Sequence, residues 1–95
     1  MATLFTPDGR TKEVRPSNGT QWTFAELSFF VGGYWEVLRT VDGGFMVTNE
    51  LAKLIDPPLE LNYPATRLYI HGRRDVILGS ALVVDSRDEL PTRAV

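Results

Sequence analysis

The clearest structural signal in the chain is the run Trp22-Thr23-Phe24-Ala25-Glu26-Leu27-Ser28-Phe29-Phe30-Val31-Gly32-Gly33. Thr23 and Glu26 have the spacing of a capping box, in which each side chain binds the backbone N–H of the other residue. Gly32 suits the left-handed residue that ends many helices. The run therefore predicts a helix over residues 24–31 that is apolar on more than one face and largely covered.

A β-hairpin is predicted directly after this helix. Residues 34–41 and 45–50 are rich in strand-forming residues, and Asp42-Gly43-Gly44 supplies the positive φ values of a tight turn. A connection with an even number of residues places even-numbered residues of one strand beside odd-numbered residues of the other. The predicted core face then carries Tyr34, Glu36, Leu38, Phe45, Val47 and Asn49. The predicted outer face carries Trp35, Val37, Arg39, Met46, Thr48 and Glu50.

The flanking segments predict the rest of a small sheet. Residues 59–64 are expected to be extended, and Gly79 is expected to bend the last strand. Further short strands are predicted over 2–6, 11–15, 66–70 and 76–84. The fold class is α+β, a small single domain whose antiparallel or mixed sheet of about five short strands has one covering helix. The domain is predicted to span residues 1–85, with a charged, mobile tail over 86–95. The predicted core consists of Phe24, Leu27, Val37, Leu38, Val47, Val76, Leu78, Leu82 and Val83.

Composition narrows the classes of function. The 95 residues include 10 Lys and Arg against 12 Asp and Glu, a net charge of −2 that argues against a protein that wraps duplex nucleic acid. The absence of Cys excludes a disulfide framework, a thiolate nucleophile and a Cys-based zinc site. Neither a signal peptide nor an apolar run of about 18 residues is found, so a cytoplasmic protein is expected.

Several motifs follow one another in a recognisable order. They are Val31-Gly32-Gly33-Tyr34-Trp35-Glu36-Val37, Asn49-Glu50, Leu61-Asn62-Tyr63-Pro64-Ala65-Thr66 and Asp75-Val76-Ile77-Leu78-Gly79-Ser80-Ala81-Leu82-Val83-Val84. Together they resemble DUF3846, a family of small uncharacterised proteins of bacteriophages, plasmids and related mobile elements. Leu51 and Ala52 depart from the acidic residue and glycine that often follow the Asn-Glu pair in that family. The resemblance implies an accessory role in a host cytoplasm, such as countering host defence, and it implies no known activity.

One candidate site combines carboxylates, amides and a hydroxyl from separate segments. Its members are Glu36, Asn49, Glu50, Asn62 and Thr66. Such groups could line a polar pocket that binds a ligand, or one carboxylate with a raised pKa could act as an acid or base. The alternative is that the amides satisfy backbone groups at strand ends and turns.

The second candidate site is basic. Arg73 and Arg74 flank a predicted turn near His71, with Arg67 upstream. Guanidinium groups suit a phosphate, a carboxylate or an acidic partner surface. The alternative is an ordinary solvated loop. His71 is the single His of the chain, so neither a catalytic triad nor a metal site is predicted, and no cofactor is expected.

An interface is predicted on the outer hairpin face. Trp35 beside Met46 and Arg39 could anchor a partner, because exposed aromatic residues often dominate interfaces. A homo-oligomer is expected through this face, since pairing subunits buries surface that a small domain leaves exposed.

These observations favour a non-enzymatic protein that acts by stoichiometric binding. Its partner would be a host protein or a small anionic, nucleotide-type ligand, and no membrane is involved. The alternative is a small hydrolase or nucleotide-modifying enzyme that uses Glu36 or Glu50. A third hypothesis is a DNA-linked structural accessory protein.

Overall fold

The computed structural model describes residues 2–91, and its helix α1 begins and ends where the sequence predicts. Helix α1 spans Phe24–Val31. The Thr23 hydroxyl accepts a hydrogen bond from the Glu26 N–H at 3.1 Å, and the Glu26 carboxylate accepts one from the Thr23 N–H at 2.8 Å. Gly32 ends the helix with φ 82°. The capping box and the left-handed Gly are thus both confirmed.

Within the described residues, the strands form one antiparallel five-stranded sheet. The strands are β1 (Ala2–Phe5), β2 (Thr11–Val14), β3 (Trp35–Arg39), β4 (Phe45–Asn49) and β5 (Ala81–Val84). Their spatial order is β2-β1-β5-β4-β3, so the last strand lies at the centre. The predicted α+β class with about five strands is confirmed.

Both faces of the sheet are covered. Leu27 and Val31 of α1 pack on one face, against a cluster that includes Trp35, Val47, Leu82 and Val84. A second helix, α2 (Tyr63–Leu68), lies on the opposite face. Its Ala65 belongs to a separate cluster with Met46, Ile77 and Ala81. The expectation of one covering helix is therefore corrected to two helices, one on each face.

The two faces of the β3–β4 hairpin differ from the prediction. Trp35 lies opposite Asn49 and Val37 opposite Val47, so odd-numbered residues share a face with odd-numbered residues. The connection 40–44 has five residues, an odd number that reverses the predicted parity. The Thr40 N–H donates a hydrogen bond to the Gly44 carbonyl at 3.1 Å and closes this longer turn. Both predicted face assignments are therefore wrong.

The sequence predicts an extended segment over 59–64 and a short strand over 66–70. Both predictions are wrong for the residues that form α2. The Asn62 side chain caps the helix by accepting a hydrogen bond from the Ala65 N–H at 3.1 Å. Pro64 lies in the first turn, where a missing N–H breaks no helical hydrogen bond. The combination of an Asn cap and an early Pro outweighs the strand propensity of the residues that follow.

Strand β5 is shorter than predicted. It begins at Ala81, because Gly79 adopts φ 81° and bends the backbone before it. Residues 76–78 therefore leave the sheet and run beside α2, where Leu78 forms an isolated bridge with Leu61. This bend carries the preceding residues to the site described below.

The domain also extends past the predicted boundary at residue 85. Arg87–Glu89 forms a turn of 3₁₀-helix, and Leu90 is buried in the α1-side core. The backbone N–H of Trp22 donates a hydrogen bond to the Glu89 carbonyl at 2.8 Å. Residues 86–90 therefore pack against the domain, and the mobility of the tail stays a prediction. The rest of that tail, 92–95, lies outside the described residues.

The predicted core is correct in part. Leu27, Val47 and Leu82 are fully buried. Four further members are half-buried: Val37, Leu38, Leu78 and Val83. Phe24 and Val76 are exposed to 40% and 41%, so their assignment to the core is wrong. Within residues 2–91, no helix has the length and apolar character needed to cross a membrane.

Candidate binding site

A cavity of about 260 Å³ opens on the α2 side of the sheet. Its charged and polar lining residues are Glu36, Thr48, Asn49, Glu50, Lys53, Tyr69 and Asp75, and its apolar lining residues are Leu38, Ala52, Val76, Ile77 and Leu78. We call it the acidic cavity. Strands β3 and β4, the turns after β4 and the segment before Gly79 all contribute to it.

The strand register places Glu36 and Thr48 together. They lie directly opposite each other on β3 and β4, on the same face as the pair Leu38 and Met46. Helix α2 and its flanking residues cover that face at Met46. Glu36 and Thr48 lie one pair further along the hairpin, so they line the cavity beside the covered cluster.

The acidic cavity carries three carboxylates and one ammonium group. Lys53 pairs with Asp75, which also accepts a hydrogen bond from the Val76 N–H at 2.8 Å. These contacts, the Lys53 hydrogen bond first, lower the pKa of Asp75. Burial raises the pKa of Glu36, and the nearby Glu50 carboxylate raises it further, although Lys53 opposes this. The cavity therefore holds more negative charge than its one ammonium group neutralises.

Thr48 adds a free hydrogen-bonding group to the cavity. The residue as a whole is only 3% exposed, and none of the hydrogen bonds among residues 2–91 involves its hydroxyl. Its position in the cavity wall makes it available to a bound group.

The structure brings together some members of the predicted polar site and separates others. Glu36, Asn49 and Glu50 line the acidic cavity, whereas Asn62 and Thr66 do not. The Asn49 amide is already engaged: its Nδ2 donates to the Val31 carbonyl at 3.1 Å, and its Oδ1 accepts from the Leu51 N–H at 2.8 Å. Asn49 is thus a structural residue at the cavity edge.

Asn62 and Thr66 satisfy buried backbone groups. Asn62 Nδ2 donates to the carbonyls of Phe5 (3.0 Å) and Gly79 (2.9 Å). The Thr66 hydroxyl donates to the Asn62 carbonyl at 2.8 Å and accepts from the Ile77 N–H at 2.9 Å. For these two residues the structure favours the alternative interpretation, in which the side chains stabilise the backbone.

The structure does not bring all residues of the predicted basic cluster to one site. Arg73 lines a second cavity of about 360 Å³, together with Arg67, and Arg74 does not line it. We call it the basic cavity. Its other lining residues are Val41, Tyr63, Thr66, Tyr69, Ile70 and Gly72. Tyr69 lines both cavities, so they are neighbours on one face of the molecule.

The residues of the predicted outer interface do not lie together at the surface of the protein. Trp35 is 9% exposed and Met46 is fully buried, and they lie on opposite faces of the sheet. Trp35 is anchored by its Nε1–H, which donates to the Phe24 carbonyl at 3.2 Å. Arg39 is exposed but its guanidinium lies 5.0 Å from the centre of the Phe45 ring. The prediction that Trp35 and Met46 share an exposed face is wrong, so it no longer supports an oligomer interface.

Four lining residues of the acidic cavity are not among the predicted site residues: Thr48, Lys53, Tyr69 and Asp75. Lys53 and Asp75 are 22 positions apart and meet only because the bend at Gly79 and the turns after β4 converge. Thr48 is predicted to lie on the hairpin face opposite to that of Glu36, because the prediction assumes a connection with an even number of residues. Counting the loop as five residues would have paired Thr48 with Glu36 and found one of the four.

No group of three or more His, Cys, Asp or Glu side chains in the described part of the chain is arranged to hold a metal ion. Comparison with protein-family models, curated proteins and solved structures found no match to this chain. The resemblance to DUF3846 therefore stays a prediction.

Proposed function

We propose that this protein acts by stoichiometric binding, and that the acidic cavity accepts a positively charged side chain of a partner protein. The observation that carries this proposal is the charge of the cavity: Glu36, Glu50 and Asp75 face one Lys53. A Lys or Arg side chain would offset the repulsion between Glu36 and Glu50 and form charge-assisted hydrogen bonds with them. The Thr48 hydroxyl offers a further acceptor.

The size and walls of the cavity favour a side chain over a larger free ligand. Its volume of about 260 Å³ lies below the range of roughly 300–1,000 Å³ found for drug-sized ligands. Leu38, Ile77 and Leu78 supply apolar wall for the methylene groups of a Lys or Arg. Arg side chains seated in pockets are frequent anchors of protein interfaces.

The surface beside the cavity also favours a protein partner. The turns that contribute Ala52 and Lys53 expose apolar side chains, with Leu54 exposed to 80% and Leu51 and Ile55 more than one-third exposed. Exposed apolar side chains that lie near one another and beside polar residues are typical of protein-binding surfaces.

Binding of N-acetyl-L-arginine amide tests this proposal, with the neutral isostere N-acetyl-L-citrulline amide as the control ligand. In amide NMR spectra, the arginine probe is expected to shift Thr48, Glu50 and Lys53, and the citrulline probe to shift them much less. The double variant Glu36→Gln/Glu50→Gln should bind the arginine probe about tenfold more weakly, because two partly exposed charge contacts are lost. Glu13→Gln removes the same charge from strand β2 at the other edge of the sheet and should bind normally.

Equal binding of the two probes, or an equal loss in Glu13→Gln, would contradict the proposal.

The raised pKa of Glu36 also favours the alternative of acid–base catalysis. Turnover of an arginine ester that disappears in Glu36→Gln would establish that alternative. The resemblance to DUF3846 implies a counter-defence role. That role remains a prediction about the identity of the partner.

A further inference from the structure

The basic cavity has a charge opposite to that of its neighbour. Its charged lining residues are Arg67 and Arg73, and no acidic residue lines it. Neither arginine forms an ion pair with a carboxylate anywhere in residues 2–91. Two positive charges therefore face one cavity without an internal counter-charge.

The backbone holds these two arginines in place. Arg67 lies in the last turn of α2, and Arg73 lies in the turn that follows the helix. That turn packs directly on the helix: a Cβ atom on Gly72 would lie 2.0 Å from the Thr66 carbonyl oxygen. Hydrogen bonds from Gly72 N–H to Tyr69 O and from Arg74 N–H to His71 O, both 2.9 Å, close the turn. The spacing of the two arginine Cα atoms is thus set by packed backbone.

Aromatic and apolar groups complete the cavity. The Arg67 guanidinium lies 6.0 Å from the centre of the Tyr63 ring, and Tyr63 is 63% exposed. Tyr69 forms another wall, with Ile70 and Val41 beside it. A flat ring could stack on Tyr63 or Tyr69 while its charged substituent meets the guanidinium groups.

We propose that the basic cavity binds a phosphate monoester carried on an aromatic ring. A phosphate monoester has a charge of about −1.5 to −2 at pH 7, which matches two unpaired arginines. Its oxygens accept the paired N–H groups of a guanidinium. The volume of about 360 Å³ is large enough for the ring as well as the phosphate. The phosphate site requires no partner at the acidic cavity, although Tyr69 lines both cavities.

Titration calorimetry with phenyl phosphate tests the proposal, with inorganic phosphate and phenol as separate probes. Phenyl phosphate is expected to bind more tightly than either probe and to weaken as salt is added. Arg67→Gln and Arg73→Gln should each bind it about tenfold more weakly. Arg74→Gln is the matched control: it removes the neighbouring arginine, which does not line the cavity, and should bind as wild type. All three positions are exposed, so the variants should fold, which circular dichroism checks.

The variant Tyr63→Leu tests the contribution of the aromatic side chain to binding separately from that of the two arginine charges. It should keep its affinity for inorganic phosphate and lose most of the preference for phenyl phosphate. N-acetyl-phosphotyrosine amide carries its phosphate on the ring, whereas a nucleoside monophosphate carries it on the ribose. Tighter binding of the phosphotyrosine probe supports the proposal, and tighter binding of the nucleotide overturns it. It is overturned if inorganic phosphate binds as tightly as phenyl phosphate, or if Arg74→Gln loses as much affinity as Arg73→Gln.

Discussion

Replacement of Asn62 by Ala is expected to lower the free energy of unfolding by about 3–5 kcal/mol. Asn62 is fully buried, and its side chain satisfies the carbonyls of Phe5 and Gly79 and the N–H of Ala65. Each buried group left without a partner costs about 1–3 kcal/mol. A domain of this size has only about 5–14 kcal/mol in total, so the loss is a large part of its stability.

Urea denaturation of Asn62→Ala measures this effect. Asn18→Ala is the matched control, because the Asn18 side chain also accepts two backbone N–H groups, those of Thr20 and Gln21, but lies exposed in a loop. Water replaces its hydrogen bonds, so this variant should lose less than about 1 kcal/mol. Equal losses in the two variants would show that Asn62 does not join α2 to the sheet.

Replacement of Leu27 by Ala is expected to cost about 2–5 kcal/mol. Leu27 is fully buried where α1 meets the sheet, in the cluster that contains Trp22, Val47 and Leu82. The substitution removes apolar contacts and leaves a cavity in a packed core. Thermal or urea unfolding measures the loss. Leu54→Ala, at a residue exposed to 80%, should change stability by less than about 0.5 kcal/mol. A loss below about 1 kcal/mol for Leu27→Ala would contradict the packing of α1.

Local signals predicted the parts of the fold that depend on neighbouring residues. The capping box at Thr23 and Glu26 fixes where α1 begins because both hydrogen bonds lie within four residues. The faces of the β3–β4 hairpin depend on loop parity, and the turn could not be counted from Asp42-Gly43-Gly44 alone. Its closing hydrogen bond joins the Gly44 carbonyl to the Thr40 N–H, and Thr40 lies before that signal.

The candidate site was predictable only in part for the same reason. Glu36 and Glu50 both lie at the end of the predicted hairpin, but the assumed loop parity places them on opposite faces of it. The pairing of Lys53 with Asp75 depends on α2 and on the bend at Gly79, and α2 was predicted to be a strand. The separation of Arg73 from Arg74 likewise follows from how the 71–74 turn packs on α2.

The raised pKa of Glu36 has consequences for both stability and binding. The folded chain holds the Glu36 proton more tightly than the unfolded chain does, so this group lowers the free energy of unfolding as pH rises through the raised pKa. A bound cation favours the ionised carboxylate. Cation binding should therefore weaken as pH falls through the same pKa.

The most direct test of the acidic cavity is the pKa of Glu36 itself, followed by the carboxyl carbon signal in NMR spectra across a pH series. In the free protein the pKa should lie above the ordinary value of a Glu, and Glu50→Gln should lower it by removing a neighbouring negative charge. Saturating N-acetyl-L-arginine amide should also lower it, whereas the citrulline probe should not. A Glu36 that titrates at its ordinary value in the free protein, or whose pKa is unchanged by the arginine probe, would contradict the account.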